Sequence, residues 1–148
     1  MLRATATLEV RRTREADERS AALALRHAVF CAEQGVPVAL EVDGRDDGAV
    51  HLVAIEAGDV VGTCRLVYDG MTARLGRLAV AASARGRGLG TALVAEAEEQ
   101  ARAAGARRLA LSAQAHATRL YAGRGFVPRG APFQEAGIEH VRMEKRLA

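Results

Sequence analysis

Tryptophan is absent from this chain, and two tyrosines and three phenylalanines make up its aromatic content. A surface for single-stranded nucleic acid needs aromatic rings interleaved with basic residues, so that class is excluded. Lysine is nearly absent too. Lys145 is the only one, and arginine supplies the rest of the 21 basic side chains. Against 18 acids they leave a net charge of +3, an excess that suits an anionic small ligand and is too small to argue for nucleic acid. Cysteine occurs only as Cys31 and Cys64, too few for a disulfide framework. They form no CxxC, the histidine spacings complete no zinc site, and two reduced, half-buried thiols are expected. No apolar run approaches the roughly 20 residues of a membrane span. Met1 to Arg14 is polar and charged, without the apolar stretch of an export signal. The expectation is a cytoplasmic protein with no membrane and no metal.

With 148 residues and a hydrophobic fraction of 49%, the chain suits one domain over 1–148 with a buried core. Thr7 to Arg11 reads as a strand. Asp17 to Ala32 reads as a helix, with Ala21, Leu25, Ala28 and Val29 at helical spacing. Glu33 to Gly48 is rich in Gly and acids and reads as a long loop with room for one helical turn. Val50 to Ala57 and Val60 to Tyr68 are strands joined at Gly58-Asp59, and a turn at Asp69-Gly70 leads to a third strand, Arg74 to Val80. A glycine-rich loop then opens a helix running to Ala104, whose Leu89, Leu93, Ala97, Ala101 and Ala104 form one apolar stripe stopped by Gly105. Arg108 to Leu111 is a strand, parallel to Arg74 to Val80 by the right-handed crossover rule. A short helix at Ala117 to Ala122 and a last strand at Ile138 to Lys145 complete a mixed α/β sheet.

The most informative stretch is Arg85-Gly86-Arg87-Gly88-Leu89-Gly90-Thr91, between a strand and a helix. Amides at a helix N-terminus lack intrahelical partners and carry positive potential, and glycines let a phosphate approach them. A ligand-free glycine turn is the bland alternative. A Walker loop is excluded because no Gly-Lys-Ser/Thr is present. The dinucleotide fingerprint fails because its third glycine position holds Thr91 or Leu93. What fits is Arg-x-x-Gly-x-Gly, on Arg85, Gly88 and Gly90.

Here the sequence resembles the GNAT superfamily of acetyltransferases. Leu78-Ala79-Val80, upstream of Arg85, looks like the family's fourth strand. Gln114, Ala117, Tyr121, Gly125 and Phe126 match its downstream Asn/Gln-x-x-Ala-x-x-x-Tyr-x-x-x-Gly-Phe spacing. A finer resemblance, to the ElaA/YjcF-like branch, rests on Leu25-Arg26, Val29-Phe30, Glu33-Gln34-Gly35-Val36-Pro37, Glu41-Val42-Asp43-Gly44 and His51. It continues through Phe133, Glu135-Ala136-Gly137-Ile138, His140 and Met143. Ala82 stands where members often carry Pro, and Gln114 where they often carry Asn. The resemblance implies a mostly antiparallel mixed sheet with splayed parallel central strands flanked by helices.

It also implies acetyl-CoA as cosubstrate and a small-molecule or peptide amine as acceptor. Amides around Arg87 to Thr91 would bind the pyrophosphate, with Arg85, Gly86, Gln114 and Tyr121 also at the cofactor. The edge at Leu78, Ala79 and Val80 would pair with the pantetheine arm, and the Leu78 N–H would face the thioester oxygen. Tyr121 is the candidate general acid. The fourth strand offers no Asp, Glu or His, so the base candidates are Glu33, His51 and His140, with water as a further route. Arg65 and Arg77 are either receptors for an acceptor carboxylate or solvent-facing strand arginines, and Asp43, Asp46 and Asp47 would attract a cationic amine. A non-catalytic acyl-CoA-binding module and a transferase for longer acyl groups are the rival readings. The sequence leaves the acceptor unnamed and the oligomeric state open, a homodimer included.

Overall fold

The computed structural model describes residues 7–147. Its strands are β1 (Leu8–Arg12), β2 (Val50–Glu56), β3 (Asp59–Asp69), β4 (Thr72–Val80), β5 (Arg108–Gln114), β6 (Val127–Pro128), β7 (Phe133–Glu135) and β8 (Ile138–Arg146). They form one sheet in the order β1-β2-β3-β4-β5-β8-β6, with β7 also paired to β8. Every neighbouring pair is antiparallel except β4 with β5. That parallel register covers only Thr72↔Arg108, Ala73↔Leu109 and Arg74↔Ala110. Beyond Arg74 the two strands part, so the sheet opens in a V between Leu75–Val80 and the end of β5.

Helix α3 (Leu89–Ala103) covers one face. Its Leu89, Leu93, Val94, Ala97 and Ala101 are buried against Leu52, Leu66, Leu75, Leu109 and Leu111 of the sheet, which makes this layer the core. Ala104, expected on the same stripe, is the exposed C-cap, and Gly105 at φ +84° ends the helix in the left-handed conformation. The opposite face is partly covered by α1 (Ala16–Arg26), by a π-helical segment His27–Glu33 and by the single turn α2 (Val38–Glu41).

Two expectations shift. The predicted helix Asp17 to Ala32 is α-helical only to Arg26, and the wider π turn that follows brings Phe30, Glu33 and Gln34 to the mouth of the V. The β2–β3 turn lies one residue earlier than predicted. Ala57 and Gly58 both have positive φ, as a two-residue type I′ loop requires, and Glu56 pairs with Asp59. The same device, Ala136-Gly137, joins β7 to β8. Alanine in the first turn position displaces the β2–β3 turn by one residue for sequence rules that look for Asn or Asp there.

Candidate functional site

A cleft of about 890 Å³ occupies the V and the open face beside it. Its walls come from β4, β5, β8, the π-helical segment and the short helix α4 (Thr118–Ala122). Beyond Arg85 at its rim, Gly88 caps α3 in the left-handed conformation, φ +82°, and Gly86 is likewise at φ +78°. A Cβ on either would meet nothing within 4 Å, so the space beside them is open to a ligand. The first intrahelical bond runs from Ala92 N–H to the Gly88 carbonyl at 3.0 Å, which leaves the amides of Leu89, Gly90 and Thr91 without helix acceptors. Gly90 has a packing reason too, since its Cβ would stand 3.0 Å from Leu120. The loop's arginines are anchored across it. Arg85 donates to the Val80 carbonyl and to both oxygens of Glu33, and Arg87 pairs in two-pronged fashion with Glu56.

Below the rim, β4 carries a bulge. Thr63 pairs with Ala79 and Arg65 with Gly76, so Cys64 opposes both Arg77 and Leu78. Arg77 has φ +55°, a conformation that disfavours non-glycine residues. Its guanidinium is held from α2, donating to the Leu40 and Glu41 carbonyls and to the carboxylates of Glu41 and Asp43. The bulge takes Leu78 out of the regular ladder at the point where β4 has lost its parallel neighbour.

Tyr121 on α4 is 7% exposed and packs edge-on to Phe126. Burial, with a smaller contribution from nearby Cys64, pushes its phenol well above the usual value, so the hydroxyl keeps its proton. That hydroxyl has no hydrogen-bond partner among the described residues, and no buried side-chain polar atom among them lacks one, so it opens on the cleft that Tyr121 lines. Gln114 and Gln34 exchange two amide hydrogen bonds, at 2.8 and 3.2 Å, and so tie the end of β5 to the π-helical segment.

The three base candidates separate. His51 is buried on β2, donates from Nε2 to the Asp46 carbonyl at 2.8 Å and does not line the cleft. Glu33 lines it but is paired with Arg85. His140 lines it as well, with Nδ1 2.7 Å from the Ile138 carbonyl. A carbonyl only accepts, so Nδ1 is the donor there, and Nε2 is the ring nitrogen left for other partners, 3.9 Å from the Glu135 carboxylate.

Arg65 and Arg77, expected either at an acceptor carboxylate or facing solvent, are paired instead with the protein's own acids. Arg65 is buried and bonds to Asp43 and Asp46, while Arg77 bonds to Glu41 and Asp43. Arg26, 1% exposed, joins them through Glu41 at 2.6 Å and Asp46 at 2.7 Å. Three arginines therefore meet three carboxylates in one charge-balanced network that clamps α1 and α2 onto β3 and β4. The acids expected to attract a cationic amine belong to it, Asp47 excepted, which is exposed and pairs with Arg19. Several residues on which the branch resemblance rested, Arg26, Glu41, Asp43 and His51, are thus joined in or to this clamp. Cys64 is fully buried rather than half-buried, and burial drives its thiol far above the ordinary range. Among the described residues no group of three His, Cys, Asp or Glu side chains is placed to hold a metal ion. No helix among them is long and apolar enough to cross a membrane. Sequence reasoning missed Ser112, His116 and Arg142, which line the cleft outside any motif.

Known proteins share this arrangement. The family model for the acetyltransferase (GNAT) domain matches residues 14–147. The uncharacterized N-acetyltransferase YjcF of Bacillus subtilis (strain 168) is 30% identical over 122 residues, covering 82% of this chain and 87% of the relative. The crystal structure of an acyl-CoA N-acyltransferase from Pseudomonas aeruginosa superposes with a TM-score of 0.82 at 31% identity, over 95% of this chain and 99% of the other. Escherichia coli ElaA gives 0.82 at 25% identity, with the same coverage of 95% and 99%. A splayed β4–β5 pair beneath open helix amides, on a chain matched almost end to end, is the architecture of an acyltransferase, and this enzyme belongs to the GNAT acetyltransferases, in the branch that includes ElaA and YjcF.

Proposed function

We propose that this enzyme transfers the acetyl group of acetyl-CoA directly to a primary amine. The observation that carries the reading is three kinds of group, two of them lining one cleft and the third just beyond Arg85 at its edge. These are the open amides at the start of α3, the unpaired edge of β4 at its bulge, and a protonated tyrosine hydroxyl. Amides of Gly88 to Thr91 receive the pyrophosphate, and the edge at Leu78, Ala79 and Val80 receives the pantetheine amides as an added strand. Acetyl-CoA supplies the activated acyl group as a thioester. The amine nitrogen attacks the carbonyl carbon, and the Leu78 amide stabilises the oxyanion. The carbon–sulfur bond then breaks, and the thiolate takes the proton of Tyr121 while the ammonium proton goes to Nε2 of His140. The products are the acetamide and the free thiol of CoA.

Replacing Tyr121 by Phe tests this, because the ring stays and only the O–H is lost. Melting temperature and acetyl-CoA affinity should change little, and kcat should fall by roughly 10²-fold to 10⁴-fold where chemistry limits turnover. Unchanged kcat under those conditions removes Tyr121 from the mechanism.

A further inference from the structure

Seven arginines line the cleft. Six of them already hold a carboxylate: Arg45 and Arg74 that of Asp69, Arg65 those of Asp43 and Asp46, Arg77 that of Glu41, Arg85 that of Glu33, and Arg129 that of Glu144. The seventh, Arg142, has no carboxylate partner among the described residues. It stands on β8 two residues from His140, on the same face of the strand, so their Cα atoms are about 7 Å apart. Ser112 is its register partner on β5, exposed in the cleft and likewise without a side-chain partner among the described residues.

The guanidinium of Arg142 lies over the Phe133 ring, 5.0 Å from its centroid. The contact takes up none of its N–H groups in a hydrogen bond to another described residue, and a guanidinium so left can receive a carboxylate with two parallel hydrogen bonds. Phe133 also stacks on the His140 ring, with centroids 5.8 Å apart and planes at 28°. One aromatic ring thus fixes a cation and a proton acceptor relative to each other on the floor of the cleft.

We infer that the acceptor is an amino carboxylate whose carboxylate is received by Arg142 while its amine lies toward Nε2 of His140. The inference rests on the acetyltransferase reading above and adds the substrate class to it. A cationic amine lacking an acid group would leave Arg142 unneutralised beside it, and like charges at that separation disfavour binding.

The test is a series of amino carboxylates, from glycine to 6-aminohexanoate, each compared with its own primary amide as acetyl acceptor by thiol release. The best carboxylate should exceed its amide at least tenfold in kcat/KM. In Arg142→Met that preference should collapse to about one, and in Arg142→Lys, which keeps the charge without the fork, it should be intermediate. Because Arg142 is exposed, both variants should keep the parent melting temperature, which checks that they are folded. Amides accepted as well as carboxylates, no turnover of any member, or a preference that survives Arg142→Met would overturn the inference. Loss of the acetyl-CoA-dependent rise in melting temperature is a separate outcome that would instead overturn the acetyltransferase reading.

Discussion

Removing Arg26 should destabilise this enzyme far more than removing a surface charge. The side chain is 1% exposed and bonds to Glu41, itself 5% exposed, and to Asp46. Arg26→Met keeps most of the volume and deletes the cation. Glu41 then retains only Arg77 at 3.0 Å, and Asp46 only Arg65 at 3.0 Å, so two carboxylates lose charge compensation at a site with almost no water. Breaking a buried pair from one side costs about 3–5 kcal/mol. At this chain length each kcal/mol lowers the melting temperature by roughly 2–4 °C, giving a fall of about 6–20 °C. Glu41→Gln should produce a loss in the same direction, because it leaves Arg26 and Arg77 sharing a neutral amide. The double variant should lose less than the sum of the two, since each change removes the reason for the other's penalty. Denaturant titrations of the four proteins supply the cycle. Single losses below about 1 kcal/mol, the range of an exposed pair, would refute the claim that this network clamps α1 and α2 to the sheet.

Acetyl-CoA should raise the melting temperature and Gly88→Val should abolish that rise, because a branched residue at φ +82° is strained and its side chain enters the open space proposed for the pyrophosphate; calorimetric titration of the folded variant checks it. Stability should also fall in acid. Hydrogen bonding to Arg65 holds Asp43 far below its ordinary value of 3.8, and Asp46, although its burial opposes ionisation, is held below 3.8 by Arg26 and Arg65. A depressed folded value stabilises above the unfolded one, so this contribution is complete above about pH 5 and is lost as pH falls through 3.8 and below. Urea midpoints at pH 6 and pH 3 should converge for Asp43→Asn relative to the parent. Neither cysteine should carry the acetyl group: acetyl-CoA alone should leave both unmodified by mass spectrometry, and stoichiometric acetylation of Cys31 or of the buried Cys64 would replace direct transfer with a two-step mechanism.

The local code alone carried much of this protein. The apolar runs of β2 and β3, the stripe on α3, Gly105 as helix stop and the Arg-x-x-Gly-x-Gly loop depend on neighbours within a few residues, where backbone sterics and periodicity decide. The spacing from Gln114 to Phe126 is likewise local, because α4 must present Tyr121 on one turn. What tertiary structure alone decided is which charges meet. Arg65 and Arg77 are, as sequence, two arginines with equal claim to an acceptor. Only the fold brings Glu41, Asp43 and Asp46 back over β3 and β4 and satisfies both guanidinium groups inside the protein. The same pairing leaves Arg142, which no motif marks, as the cleft arginine without a carboxylate partner among the described residues. His51 and His140 were equivalent on paper and were separated by a single hydrogen-bond acceptor each, Asp46 and Ile138, and by which of them faces the cleft. Ion pairing and proton placement are set by distance in space, between residues 36 positions apart for Arg77 and Glu41 and 52 apart for Arg85 and Glu33, and spacing along a sequence carries no record of it.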